Sequence, residues 1–134
     1  MAEAILRDRL GAVQGWTVAS AGVLAKQDEP ASPEAVIALH EAGMDLSGHR
    51  SQPLTRELVD ASTIIVVMTG QHLVEVLRCF PEAKSRVFMM TSFGTKDTPV
   101  DIPDPFGQSL EVYRWTRDQI ASTTADVILH IMDH

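Results

Sequence analysis

A chain of 134 residues, 45% apolar and 22% charged, is sized for one domain with a single hydrophobic core and carries too few charges for a disordered polymer. The formal charge of −7 and sequence pI near 5.1 argue against nucleic acid and anionic membrane surfaces as partners, because both are bound by an excess of lysine and arginine. A small phosphorylated group is still admitted, since backbone N–H groups and one arginine can hold an anion inside an acidic protein. Cys79 stands alone, so no intrachain disulfide can form. The composition fits a reducing cytoplasm, and the first ten residues read as neither a signal peptide nor a membrane span.

Ile5, Leu6, Leu10 and Val13 recur at helical spacing up to Gly15 and predict an amphipathic helix over residues 1–13. That helix starts at Met1, already inside its own pattern, without the Ser, Thr, Asp or Asn that ordinarily satisfies free N–H groups. Residues 16–20 predict a strand ending at Ala21-Gly22. Ser32-Pro33-Glu34 supplies a cap, a first-turn proline and an acid for a second helix through Ala35, Val36, Leu39 and Ala42 to Gly43. Thr55, with Leu54 and Val59 as a hydrophobic staple, opens a short helix near 56–60.

Residues 62–68 form an apolar, β-branched run without alternation, the pattern of a parallel strand buried on both faces. Thr69 caps a helix carrying Leu73, Val74 and Leu77 that stops before Pro81, and residues 86–90 predict a third strand. The loop over 91–108 holds Pro99, Pro103 and Pro105; loops of that length in compact domains are often functional. A last helix from about 109 aligns Tyr113, Thr116 or Arg117, Ile120, Thr124, Val127 and Ile131 on one stripe. The alternation implies an α/β domain over residues 1–134, an open parallel sheet flanked by helices in three layers, with ligands beyond the C-terminal strand ends. Such folds usually open on a strand, whereas this chain opens on a helix.

Asp104 lies between Pro103 and Pro105, which restrict the backbone on both sides and can hold its carboxyl in one place, as a general acid requires. Keeping a proton near neutral pH also calls for partial burial beside Phe106 or a bound anion. Taken alone, the loop reads as a surface Asp-Pro turn before it reads as a catalytic one. Phosphatases with a thiolate nucleophile place five residues between Cys and Arg, but six lie between Cys79 and Arg86, Pro81 among them and no glycine. Cys79 also sits near a helix C-terminal end, where a thiolate is disfavoured, and is read as structural. His49 is a base, a hydrogen-bonding prop or a plain loop residue; Ser20 points into a site or opens a turn. His40, His72, His130 and His134 have no metal-ligand spacing with Cys79 or one another, so no zinc site is expected. No dinucleotide fingerprint or Walker loop occurs.

Met1-Ala2-Glu3-Ala4, Ser20-Ala21-Gly22, Gly43-Met44-Asp45 with His49-Arg50-Ser51, Met68-Thr69 and Asp104-Pro105-Phe106-Gly107 fall in the order of the low-molecular-weight protein tyrosine phosphatase family, which the chain resembles from Met1 to about Ile131. Asp-Pro-Phe-Gly followed by Tyr113, Thr116, Arg117 and Asp118 is more similar to the protein arginine phosphatase branch. The resemblance implies a phosphatase I-like fold lacking its first strand, and a phosphorylated protein as substrate. It implies Asp104 as general acid, Ser20 and His49 as braces of the phosphate loop, and Phe106 and Leu24 at the pocket mouth. The mechanism it implies is a phosphocysteine intermediate formed and hydrolysed with no metal or other cofactor.

The family's Cys-x-x-x-x-x-Arg-Ser-Pro segment is not among these residues, so no nucleophile can be assigned. One expectation is a chain that starts too late, inactive as it stands and restored by roughly ten to fifteen further residues upstream. The other is a non-catalytic, partner-binding relative. The latter leaves apolar sheet edge exposed, through which such a chain would self-associate or borrow a strand. An arsenate reductase of the same fold needs further cysteines, and a phosphoacceptor receiver domain needs an acidic cluster after a first strand; both fit less well.

Overall fold

The structure, a computed structural model, describes residues 1–10, 15–22, 27–93 and 100–132. Helix α1 (Ala2–Leu10) opens directly after Met1, and its first intrahelical bond runs from Ile5 N–H to Met1 carbonyl at 3.1 Å. The first-turn amides before Ile5 therefore have no acceptor within the helix. Helix α2 (Pro33–Glu41) is capped by Ser32 and α3 (Arg56–Ala61) by Thr55, as expected of those residues. Strand β1 (Ile65–Val67) leads through Thr69, which caps His72 N–H at 3.0 Å, into α4 (Gly70–Cys79). A 3₁₀ helix over Pro81–Arg86 precedes β2 (Val87–Met89), a second covers Met90–Phe93, and α5 (Leu110–Met132) closes the order.

β1 and β2 run parallel with Ile65 opposite Val87, Val66 opposite Phe88 and Val67 opposite Met89. Because side chains alternate across a strand, this register sorts the apolar residues into two cores. On one face Val67, Val87 and Met89 meet Val59 of α3, Val76 of α4 and Ala83. Around the other, Val66 and Met68 pack against the cluster of Ile5, Leu39, Tyr113, Ile120, Val127 and Ile131 from α1, α2 and α5. The result is helix, sheet and helix in three layers. The α5 stripe read from the sequence is the buried one, with Thr116 and Thr124 hydroxyls donating to carbonyls one turn back. Leu54 and Val59 share one core, as the staple requires.

Two expectations change, and a third runs beyond the described residues. Residues 16–20 are extended, with Trp16, Val18 and Ser20 half-buried and Thr17 and Ala19 exposed, but they form no ladder. Only Gly22 pairs, parallel with Pro53, because no other described backbone runs alongside 16–20 at bonding distance. Second, β1 is not buried on both faces: Val67 is buried, Ile65 and Val66 only partly, since β2 is the single partner it has among the described residues. Third, the first helix is described only to Leu10; the remainder of its expected span, residues 11–13, lies outside the described residues.

Helix α2 ends on Gly43 at φ 82°, with Met44 N–H donating to Leu39 carbonyl at 2.8 Å, a left-handed stop that disfavours any side chain. Its far end is tied to α5 by ions: Glu41 receives Arg114 at 2.7 Å and Arg117 at 3.0 Å, while Arg117 also donates to Ala38 carbonyl at 2.8 Å. The hydrogen bond from Arg114 is the main cause that holds the Glu41 carboxyl down from its ordinary 4.5 to about 2; burial opposes it and Arg117 adds to it.

Two predictions follow from this packing. The folded Glu41 carboxyl binds a proton less readily than the unfolded one, so the contribution of the pair is complete above about 4.5 and vanishes as pH falls toward 2. Glu41→Gln should therefore flatten the acid limb of a Tm-against-pH curve in that window; an unchanged limb would mean that solvent screens the pair out. Ile5, fully buried between α1 and α5, should cost about 2–5 kcal/mol on truncation to alanine, measured by urea unfolding.

Candidate active site

The loop that carries Asp104 is fastened at the C-terminal end of β1. Thr91 Oγ1 donates to Val100 carbonyl at 2.7 Å and accepts from Val100 N–H at 2.9 Å. Ile102 N–H then donates to Met68 carbonyl at 2.9 Å, and Ile102 itself is buried. Asp101 Oδ1 accepts from Gly70 N–H at 2.9 Å, the first amide of α4. Beyond these anchors Asp104 Oδ1 accepts from Phe106 N–H at 3.0 Å, which orients the carboxylate on its own turn. Gln108 N–H donates to Pro105 carbonyl at 2.8 Å, closing a turn that needs glycine at Gly107, where φ is 81°. Asp104 is thus an exposed carboxylate on a backbone held at several points.

The amino end of α1 faces this loop. Burial pushes the Met1 α-amino group down, while the Glu3 and Asp104 carboxylates pull it up through space. Glu3 gathers the other residues: Ser20 Oγ donates to its Oε1 at 2.8 Å, Arg7 donates to its Oε2 at 2.9 Å, and His49 Nδ1 lies 3.9 Å from the same oxygen. Gln52 and Arg7 hold the extended segment from behind, donating to Ser20 carbonyl at 2.9 Å and Val18 carbonyl at 2.7 Å. Glu3, Arg7, His49 and Arg50 line an open cleft of about 360 Å³.

Ser20 and His49 are therefore brought together, although 29 residues apart, through Glu3, which was not singled out from the sequence. Its signal was an acid in the first turn of a helix without a cap, four residues before an arginine. The burial expected of Asp104 beside Phe106 is absent: Asp104 is exposed and Phe106 is 77% exposed, because the turn carries both outward while Pro105 points in. Phe106 thus stands at the rim of the loop; Leu24 lies outside the described residues. Cys79, read as structural, is exposed at the last turn of α4 and packs in no core. Arg86 donates to Val59 and Ser62 carbonyls at 2.8 and 2.6 Å, closing α3, so it is committed away from Cys79. The pair cannot form an anion-binding loop.

Residues 1–132 match the family described as low molecular weight phosphotyrosine protein phosphatase. A relative named protein-arginine-phosphatase, from Geobacillus stearothermophilus, is 39% identical over 120 residues, covering 90% of this chain and 78% of its own length. A probable low molecular weight protein-tyrosine-phosphatase, EpsP, from Ralstonia nicotianae is 34% identical over 120 residues, with the same 90% and 78% coverage. Among solved structures, the YwlE arginine phosphatase from Geobacillus stearothermophilus superposes with a TM-score of 0.89 at 35% identity, covering 98% of this chain and 83% of that one. The parallel sheet between helix layers and the loop order agree with that likeness, and the chain belongs to the low molecular weight phosphotyrosine protein phosphatase family.

Proposed function

We propose that this chain carries the proton-donor side of a phosphoprotein phosphatase, with Asp104 as general acid. The observation that supports it is the fastened Asp104 loop beside the amino end of α1, where Ser20 and His49 converge on Glu3. In this scheme a thiolate from a Cys-x5-Arg loop attacks phosphorus, the bond to the leaving nitrogen or oxygen breaks, and Asp104 gives that atom its proton. Water then attacks the phosphocysteine, Asp104 takes a proton from it, and phosphate and thiolate are released. Ser20 and His49 brace the phosphate loop, Phe106 and Leu24 belong to the pocket mouth, and no metal or other cofactor takes part. The substrate is a phosphoarginine or phosphotyrosine side chain of a protein; the relative named protein-arginine-phosphatase favours the former.

The residues at hand include no Cys-x5-Arg sequence, so this chain by itself is proposed to be inactive. It should release no phosphate from phosphoarginine or phosphotyrosine peptides, and thiolate-dependent turnover, abolished by iodoacetate, would sink the idea. A chain extended upstream with a strand and Cys-x5-Arg loop should turn over both substrate types or one of them, with Asp104→Asn slowed by about a hundredfold or more.

A second reading, a partner-binding module, draws on β1. Its one described partner is β2, so among the described residues its other edge is open to another strand. Self-association through that edge would appear as concentration-dependent mass in sedimentation equilibrium; a monomer across the whole range would rule it out. No described helix is long and apolar enough to cross a membrane, and the proposal sets the chain in the cytoplasm.

A further inference from the structure

The loop bearing Asp104 meets the body of the protein through bonds of different kinds. The Thr91–Val100 pair and the Ile102–Met68 bond join neutral groups, and both lie where the chain already runs beside β2 and β1. Asp101 is different. It is the residue of this loop whose charged side chain reaches across to another element, setting Oδ1 2.9 Å from Gly70 N–H. Gly70 is the first residue of α4, immediately after the Thr69 cap, so its amide is one of those that a helix cannot satisfy internally. Thr69 Oγ1 serves His72 N–H, and Asp101 serves Gly70 N–H, so the amino end of α4 is completed partly from within and partly by the loop.

An ionised acceptor gains at this place, because the helix presents its positive end and a charge-assisted bond is stronger than a neutral one. The bond also has a mechanical effect. Asp101 and Asp104 are separated by Ile102, which is buried, and Pro103, whose ring fixes one backbone angle, while Pro105 is buried on the far side. With Ile102 held inward and Asp101 locked to α4, few backbone rotations remain that can move the Asp104 carboxylate. Nothing steric dictates this contact: a Cβ built on Gly70 would lie 3.8 Å from Asp101 Oδ1, an ordinary contact, so it is the amide that Asp101 recognises.

We propose that Asp101 is the positioning residue of the proton donor: its carboxylate, by closing the amino end of α4, fixes the place of Asp104 at the C-terminal end of β1. The inference rests on the reading of Asp104 as general acid, and its test separates the two.

Two variants remove the bond from opposite sides. Asp101→Ala deletes the acceptor. Gly70→Pro deletes the donor at a first helical position where proline is tolerated, after a Thr69 whose φ of −133° and ψ of 159° suit a residue before proline. Asp101→Asn keeps an acceptor of the same shape and serves as the rescue variant. In the chain as it stands, amide hydrogen exchange at Ile102, Phe106 and Gln108 is expected to accelerate about tenfold or more in the Ala and Pro variants. The double variant should be no faster than either single one, Asn should restore most of the protection, and Ile120 and Val127 should be unaffected. Unchanged exchange in Asp101→Ala, or fully additive effects, would overturn the lock.

In the chain extended with a Cys-x5-Arg loop, Asp101→Ala should lower kcat on phenyl phosphate, whose leaving group needs a proton, by about tenfold or more. On 4-nitrophenyl phosphate, whose leaving group needs little help, the loss should be less than about threefold. Equal losses on both would overturn the positioning role. Absence of turnover in any extended chain would count against the general-acid reading, and the exchange measurements would still decide whether Asp101 holds the loop.

Discussion

The parallel register of Ile65–Val67 against Val87–Met89 decides where the polar loops of this protein end up. With residues paired one-to-one, both strands point the same way, so the chain leaves them at one end: Met68 and Thr69 from β1, Met90 and Thr91 from β2. Both exits are then bonded to residues 100–102, one through Met68 carbonyl and the other twice through Thr91 Oγ1. A slip of β1 by one residue would exchange its two faces and move Val67 out of the core it shares with Met89, Val59 and Val76. The site is therefore located by apolar packing, before any of its polar groups acts.

A second constraint acts on α1. Its amides before Ile5 lack intrahelical partners, and the helix positive end carries a carboxylate in its own first turn, Glu3. Here Glu3 is supplied by Ser20 and Arg7, and Asp104 by the Phe106 amide. The same carboxylate that settles the helix end thereby reaches Ser20 on an extended segment that forms no ladder, and His49 on a loop. Residues distant in sequence become neighbours because a partly buried charge must be hydrogen-bonded.

On the opposite side of the molecule the ions have a different task. Arg114 and Arg117 clasp Glu41 and join the end of α2 to α5. At the α2 start, Ser32 Oγ donates to Tyr113 Oη at 3.0 Å, so the helix is tied to α5 at both ends. This leaves α2, α5 and α1 as one body around the larger core, to which the loop bearing Asp104 is fastened through the sheet.

The sequence by itself determined the helices and their starts. Ser32, Thr55 and Thr69 cap locally, proline and glycine stop locally, and the stripe from Tyr113 to Ile131 follows from helical period alone. It also singled out Asp104, Ser20 and His49, whose types and flanking residues carry chemistry or turn geometry, and placed them in a family order. What only the tertiary structure decided were properties that depend on a second backbone or a distant side chain. Residues 16–20 have the composition of a strand, but a ladder needs a partner at bonding distance, and none is described. Burial of Asp104 beside Phe106 was legible as an aspiration of composition, yet the direction of the turn, set by Gly107 and buried Pro105, carries both side chains outward. Glu3 and Asp101 drew no notice in the chain because an acid has no periodicity of its own; each acquired its place from the amide or hydroxyl that the fold set within 3 Å of it.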